Sequence, residues 1–207
     1  MTIRPLVEVA ILGFLNEWNQ LSIDTLSDRL RHNFGPFWTF GYGTLLPAVS
    51  ELEDRGHVRL VTGGEDTFPE TEETEAGTDE SEYTYEITAE GRERLQELLR
   101  QPLADVEDPK QRYRVIIKLG FIHHLPPEDQ AAEFGRLIDR FTTFRTEYEE
   151  VRDDHDRETM ADFDRHGYRV ELIYLSIEMI DTLVDWLERH REIAREKAQR
   201  EPTGTGE

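Results

Sequence analysis

The feature that most constrains this chain lies in its second half. Residues 127–155 and 166–198 each carry a helical pattern with no interior proline, the first opening at Pro126-Pro127. At 1.5 Å per residue these helices span roughly 45 Å and roughly 50 Å, and helices of that length do not pack on a small globular core alone. In the first, Phe134, Leu137, Ile138, Phe141, Phe144, Tyr148 and Val151 recur every three or four residues. In the second, two seams run side by side: Leu172, Leu175, Met179, Leu183 and Trp186 make one, and Ile173, Ile177, Ile180, Val184 and Leu187 make the other. Two adjacent seams give an apolar face wide enough for two neighbouring helices. The chain supplies one neighbour. A second subunit is expected to supply the other, which makes Leu172, Leu175, Met179, Leu183 and Trp186 the expected dimerisation residues.

The first hundred residues have a different texture. Pro5 suits a first helical position, and Leu6, Val7, Ala10, Ile11, Phe14, Leu15 and Trp18 follow at helical spacing. The stretch 16–20 reads as a turn. Ser22 is placed to cap a second helix carrying Leu26, Leu30 and Phe34, which Gly35-Pro36 stops. A third helix is expected over about 42–55, with Leu45, Val49 and Leu52 buried; Pro47 within it should kink the helix or shift its start. Val58–Val61 and Tyr83–Ile87 alternate as strands. Between them, 63–82 holds nine acidic residues and no basic one, and is expected to be a mobile hairpin tip. Thr88 caps a helix over 89–100, a linker follows, and another helix starts near 109. Residues 202–207 read as a disordered tail.

The fold expected is therefore α+β, mainly α. A winged helix-turn-helix occupies 1–100 and a helical dimerisation arm 101–207. The order helix, helix, helix, strand, strand, helix is that of a winged helix-turn-helix, whose recognition helix enters the DNA major groove. The absence of cysteine removes disulfides and thiolate metal sites. No apolar run approaches the ~18–20 residues of a membrane span, no secretory signal opens the chain, and a cytoplasmic location is expected.

Several segments carry a resemblance beyond element order. AILGFL in the first helix, FGPFWTFGYGTLLPAVSELEDRGHV (34–58), YEITAEGRERLQELL (85–99) and RYRVIIKLGFIHHLPPEDQ (112–130) together resemble the PadR family of transcriptional regulators, in its subgroup with a longer C-terminal arm. The resemblance implies a homodimer that binds a palindromic double-stranded operator, mostly as a repressor and in some members with release by a small-molecule effector. Carried over residue by residue, Tyr42, Gly43 and Thr44 match the start of the recognition helix, where backbone N–H groups and hydroxyls reach phosphate or base edges. Pro47 and Ala48 match as well. Three departures from the family pattern stand out. Gly41 stands for a serine cap, and Leu46 for a common tyrosine. Ser81, Glu82 and Tyr83 stand where basic wing residues are usual.

Charge sharpens that last departure. The chain carries 45 acidic and 24 basic residues, a formal net charge of −21; residues 1–100 hold 20 acidic and 8 basic, a net of −12. Such an excess self-repels at low salt and suits a salt-rich cytoplasm or reflects a high-GC genome. A DNA-binding domain is ordinarily basic. Two accounts follow. Either binding leans on hydrogen bonds and shape where counterion release contributes little, with Arg29 and Arg31 of the second helix on phosphate, or the chain is a helical protein-interaction module with weak or lost DNA binding.

Other patterns are weighed against plainer roles. Arg4 and Arg55 read as solvated charges, and Tyr83 and Tyr85 as strand packing. Neighbouring residues on an α-helix point about 100° apart, so His123-His124 and Asp154-His155-Asp156 are not expected to converge on a metal ion. No nucleophile–base pair, phosphate loop or paired-carboxylate motif is recognisable, so no enzymatic activity and no cofactor are expected. Trp18, Phe37, Trp38, Phe40 and Trp186 could line an effector pocket, though packing between the two domains is the favoured reading.

Overall fold

A computed structural model describes residues 5–35, 41–62, 83–102, 109–159 and 163–200. The expected hairpin tip at 63–82 and the expected tail at 202–207 lie outside the described residues. The chain divides into two compact units, Met1–His124 and Leu125–Glu207. No helix among the described residues is long and apolar enough to cross a membrane.

The first unit contains α1 (Pro5–Trp18), β1 (Gln20–Ser22), α2 (Ile23–Phe34), α3 (Tyr42–Asp54), β2 (Val58–Thr62), β3 (Thr84–Ile87), α4 (Ala89–Arg100) and α5 (Pro109–Phe121), with a 3-10 turn at Ile122–His124. The three strands form an antiparallel sheet in the order β1-β3-β2. Tyr85 sits opposite Leu21 on one side and Leu60 on the other, and all three strands turn apolar side chains toward the helices. A bulge between Leu60 and Thr62 leaves Val61 exposed. This is the winged helix-turn-helix order.

Helix α1 covers Pro5–Trp18, the full span that its helical spacing predicts, so the turn expected at 16–20 is confined to its end. Helix α1 continues to Trp18, Asn19 takes the left-handed conformation with φ 61°, and Gln20 opens a short strand. Asparagine tolerates that conformation better than most residues. A three-residue strand has too few positions to show alternation, and its pairing partner, β3, lies more than sixty residues away. Both expected N-caps are present. The Ser22 hydroxyl accepts from Thr25 N–H and the Thr88 hydroxyl from Gly91 N–H. Helix α3 begins at Tyr42 and runs through Pro47. The proline denies the Gly43 carbonyl its usual helical donor, and both residues are exposed, so water can replace it.

The first unit extends beyond residue 100, the boundary expected from sequence, because α5 packs inside it. Phe121 is fully buried between Phe14 of α1 and Phe34 of α2, with ring centroids 5.1 and 5.6 Å away. Gly13 makes this approach possible: a Cβ there would lie 2.4 Å from the Phe121 ring. Lys118, also buried, donates from Nζ to the Gln101 carbonyl just past α4 at 2.8 Å, where the negative end of the α4 dipole favours a cation.

The second unit is a helical pair, α6 (Pro127–Thr159) and α7 (Phe163–Arg200). Phe134 meets Trp186, Arg145 binds Asp181, and Arg152 lies over Tyr174. As one number rises the other falls, so the helices are antiparallel. The seam facing α6 is the one containing Ile177 and Leu187, both buried, with Ile173, Ile180 and Val184 half-buried beside them. Of the other seam, Leu172, Leu175 and Met179 are 61%, 49% and 64% exposed. Leu183 and Trp186 are half-buried, and Trp186 stacks on His190 at 3.9 Å and edges against Phe134 at 6.2 Å.

Candidate nucleic-acid interface

Helices α2 and α3 bury Leu26, Leu30 and Phe34 on one side and Leu45, Val49 and Leu52 on the other. Burying these stripes turns the first turn of α3 outward. Gly41 is its N-cap in extended conformation, and no side chain caps the helix. The Gly41 carbonyl accepts from Thr44 N–H at 2.9 Å and Leu45 N–H at 3.3 Å. Gly43 and Thr44 are exposed and Tyr42 is half-buried. A Cβ built on Gly41 or Gly43 meets nothing within 4 Å. A helix start without a side-chain cap, open at Gly41 and Gly43, combines partial positive charge with accessible backbone at those two positions, as a phosphate oxygen requires.

Arg29 and Arg31 lie on α2. The Arg29 guanidinium stacks over the Trp18 ring at 3.6 Å from its centroid, and its Nε is buried without a hydrogen-bond partner. Arg31 is well exposed, with Asp28 3.6 Å away. Both arginines border a shallow surface depression together with Thr25, Asp28, His32 and Asn33. The structure thus brings Arg29 and Arg31 together, while the first turn of α3 stands outside that depression. Trp18, weighed above as a pocket residue, spends one face on Arg29; Phe37, Trp38 and Phe40 lie outside the described residues.

The described part of the wing offers little free positive charge. Arg59 of β2 pairs with Glu86 of β3, which also accepts from Gln20 Nε2 at 3.3 Å. The Arg59 hydrogen bond holds the Glu86 carboxyl below its usual pKa. Arg55 pairs with Glu51, as a solvated charge does, and Arg4 lies outside the described residues. Tyr85 is a packing residue: burial, with Glu53 and Tyr83 nearby, pushes its phenol up to about 12.

His123 and His124 correct the expectation that they diverge. They lie in the 3-10 turn after α5, not in a continuing α-helix, and their rings approach to 4.1 Å between centroids. Both face Glu17 of α1, with Nε2–Oε1 distances of 3.1 and 3.6 Å. Burial, and the proximity of His123, lower the His124 pKa to about 4. The side chains of His155 and Asp156 lie outside those described.

No family model and no curated protein matches the chain. Among solved structures it is similar to PadR from Bacillus subtilis in complex with operator DNA, at 19% identity, 90% coverage of this chain, 98% of that chain and a TM-score of 0.37. It is also similar to the same protein in complex with p-coumaric acid, at 16% identity, 92% and 99% coverage and a TM-score of 0.38. A further PadR structure from that organism gives 18% identity, 92% and 95% coverage and a TM-score of 0.36.

Proposed function

We propose that this protein is a dimeric, sequence-specific DNA-binding transcription regulator, a repressor of the PadR type. In this reading the winged helix of the first unit meets the operator and the α6–α7 pair joins two copies. The observation that carries the reading is the exposed first turn of α3, with Gly41 and Gly43 leaving open space at a helix start that no side chain caps. Tyr42, Gly43 and Thr44 would engage phosphate and base edges, and Arg29 and Arg31 phosphate. The operator would be palindromic, since a two-fold dimer repeats each contact on a second half-site. Control by a small-molecule effector belongs to the same reading.

Electrostatics shapes the expected binding. An ordinary repressor loses affinity steeply with salt, with a log–log slope of about −0.9 per neutralised phosphate. Here residues 1–100 bring a net charge of −12 to a polyanion. Repulsion is strongest in dilute salt, and salt screens it, so the slope should be shallow or inverted. The test is fluorescence anisotropy of the full chain on its own upstream DNA and on a scrambled duplex, from dilute to molar KCl. Thr44→Ala should weaken specific binding by about 1 kcal/mol, one hydrogen bond, and leave the slope alone.

A second reading has its own observation. The pairing of Arg59 with Glu86 leaves the wing without a free cation at that position, which favours a helical interaction module with the winged-helix shape and weak or lost operator binding. Equal affinity for specific and scrambled DNA at every salt concentration would decide for it.

A further inference from the structure

We propose that Glu17, His123 and His124 form a binding site for a divalent transition-metal ion, zinc(II) being the best chemical match. Their ligand atoms all lie within 4.8 Å of one another. Tetrahedral zinc with bonds of 2.0–2.1 Å sets its ligands about 3.3 Å apart. The His123–Glu17 and His124–Glu17 separations, 3.1 and 3.6 Å, bracket that value. Only the imidazole–imidazole edge has to close, which rotation of the more exposed His123 can supply.

His124 is the more buried imidazole of the cluster. Its side chain is 11% exposed, and its Nε2 is buried without a hydrogen-bond partner while turned toward the carboxylate. The opposite edge of the ring is already held. Asn16 Nδ2 donates to Nδ1 across 3.0 Å, and Arg92 Nε fixes the Asn16 amide by donating to Oδ1 at 3.1 Å. With Nδ1 accepting from Asn16, the His124 proton sits on Nε2 toward Glu17, so coordination through Nε2 requires that proton to leave and the Asn16 amide to release Nδ1. An unpartnered buried nitrogen costs free energy that a metal ion would recover.

Two imidazoles and one carboxylate favour zinc, copper or nickel over magnesium or calcium, which prefer all-oxygen shells. Three protein ligands leave a fourth position for water. An ion here would add to the Asn16–His124 hydrogen bond and the packing of Phe14 on Phe121 that already join the C-terminal end of α1 to the end of α5 and the turn after it. It would also sit one residue from Trp18, so Trp18 fluorescence gives an optical readout.

The experiment is isothermal titration of zinc chloride into tag-free, chelator-treated full-length protein, with thermal melts with and without zinc. Saturable binding of one equivalent with micromolar affinity, and a higher melting temperature with zinc, are expected. His123→Ala and Glu17→Gln act at partly exposed side chains. Circular dichroism should show them folded, and each should weaken binding by about tenfold or more. His32→Ala, on exposed α2, should bind as the unsubstituted protein does. Absence of saturable binding, or either cluster variant binding with less than that loss, overturns the site.

Discussion

Arg94 of α4 donates from Nε to Glu8 Oε1 of α1 at 2.8 Å, and Glu8 is only 2% exposed. A second contact, Nη2 to Oε2 at 3.4 Å, makes the pair two-pronged, and Glu97 holds the same guanidinium from its own helix. Glu8 lies in the middle of the apolar run of α1, so its carboxylate is acceptable there only because Arg94 meets it. Removing one member of such a pair leaves an uncompensated charge and costs about 3–5 kcal/mol where both groups are buried. Arg94 is partly exposed, so the lower end applies. Arg94→Ala should therefore destabilise by about 3 kcal/mol in urea denaturation, and Glu8→Gln with Arg94→Met together should recover much of that loss. A single-variant loss below about 1 kcal/mol, the value of an ordinary surface pair, would contradict this.

Gly91 and Gly43 should respond in opposite ways to alanine. A Cβ on Gly91 would lie 2.0 Å from the His57 carbonyl oxygen and 2.8 Å from Ile87 Cγ1. The backbone there is locked, because Thr88 N–H and its hydroxyl both donate to the His57 carbonyl. Gly91→Ala should cost at least about 3 kcal/mol or prevent folding. Gly43→Ala meets open space and should leave stability unchanged or raise it by up to about 1 kcal/mol. The same methyl group would stand where a phosphate must approach, so operator affinity should fall. Melting curves and anisotropy on the two variants separate the effects.

Tyr85 should make the protein sensitive to alkali. Its folded pKa, about 12, exceeds the ordinary 10 because burial disfavours the phenolate. The neutral phenol is thus the form the fold accommodates. Its contribution is fully present below pH 10 and is lost as pH rises through 12, amounting to about 2 kcal/mol over that window. Absorbance at 295 nm should show a late-titrating tyrosine that Tyr85→Phe removes. Tyr85→Phe should flatten the stability loss between pH 10 and 12. An unchanged loss in that variant would assign it to other groups.

The exposed seam of α7 predicts self-association. Leu172→Asp with Met179→Asp alters side chains that are exposed in the single chain, so the fold should persist. Sedimentation should show a dimer for the unsubstituted protein at micromolar concentration and a monomer for the double variant. Trp186→Ala should behave differently. It removes contacts with Phe134 and His190 within one chain, so about 2 kcal/mol of stability should be lost. A monomeric unsubstituted protein would end the dimer reading.

The elements written in local patterns were legible from the sequence. Helical spacing places α1, α2, α6 and α7, alternation places β2 and β3, and Ser22, Thr88 and Gly35 punctuate the helices, because capping and periodicity act within a few residues. The start of α3 was legible for the same reason: Gly41, Tyr42, Gly43 and Thr44 are contiguous, and a helix N-terminus is a local object. The double seam of α7 was legible as well, but only packing against α6 decided that the Ile177–Leu187 seam faces inward and leaves Leu172, Leu175 and Met179 exposed. Strand β1 exists because β3 offers it a partner from far along the chain. Helix α5 lies in the first unit because Phe121 fits between Phe14 and Phe34 across Gly13, a steric match no single stretch encodes. The meeting of His123 and His124 at Glu17 depends on a 3-10 turn and on a helix end more than one hundred residues earlier. Local propensity acts through neighbours in sequence, whereas these features arise from burial and contact between distant segments, which only the folded chain brings together.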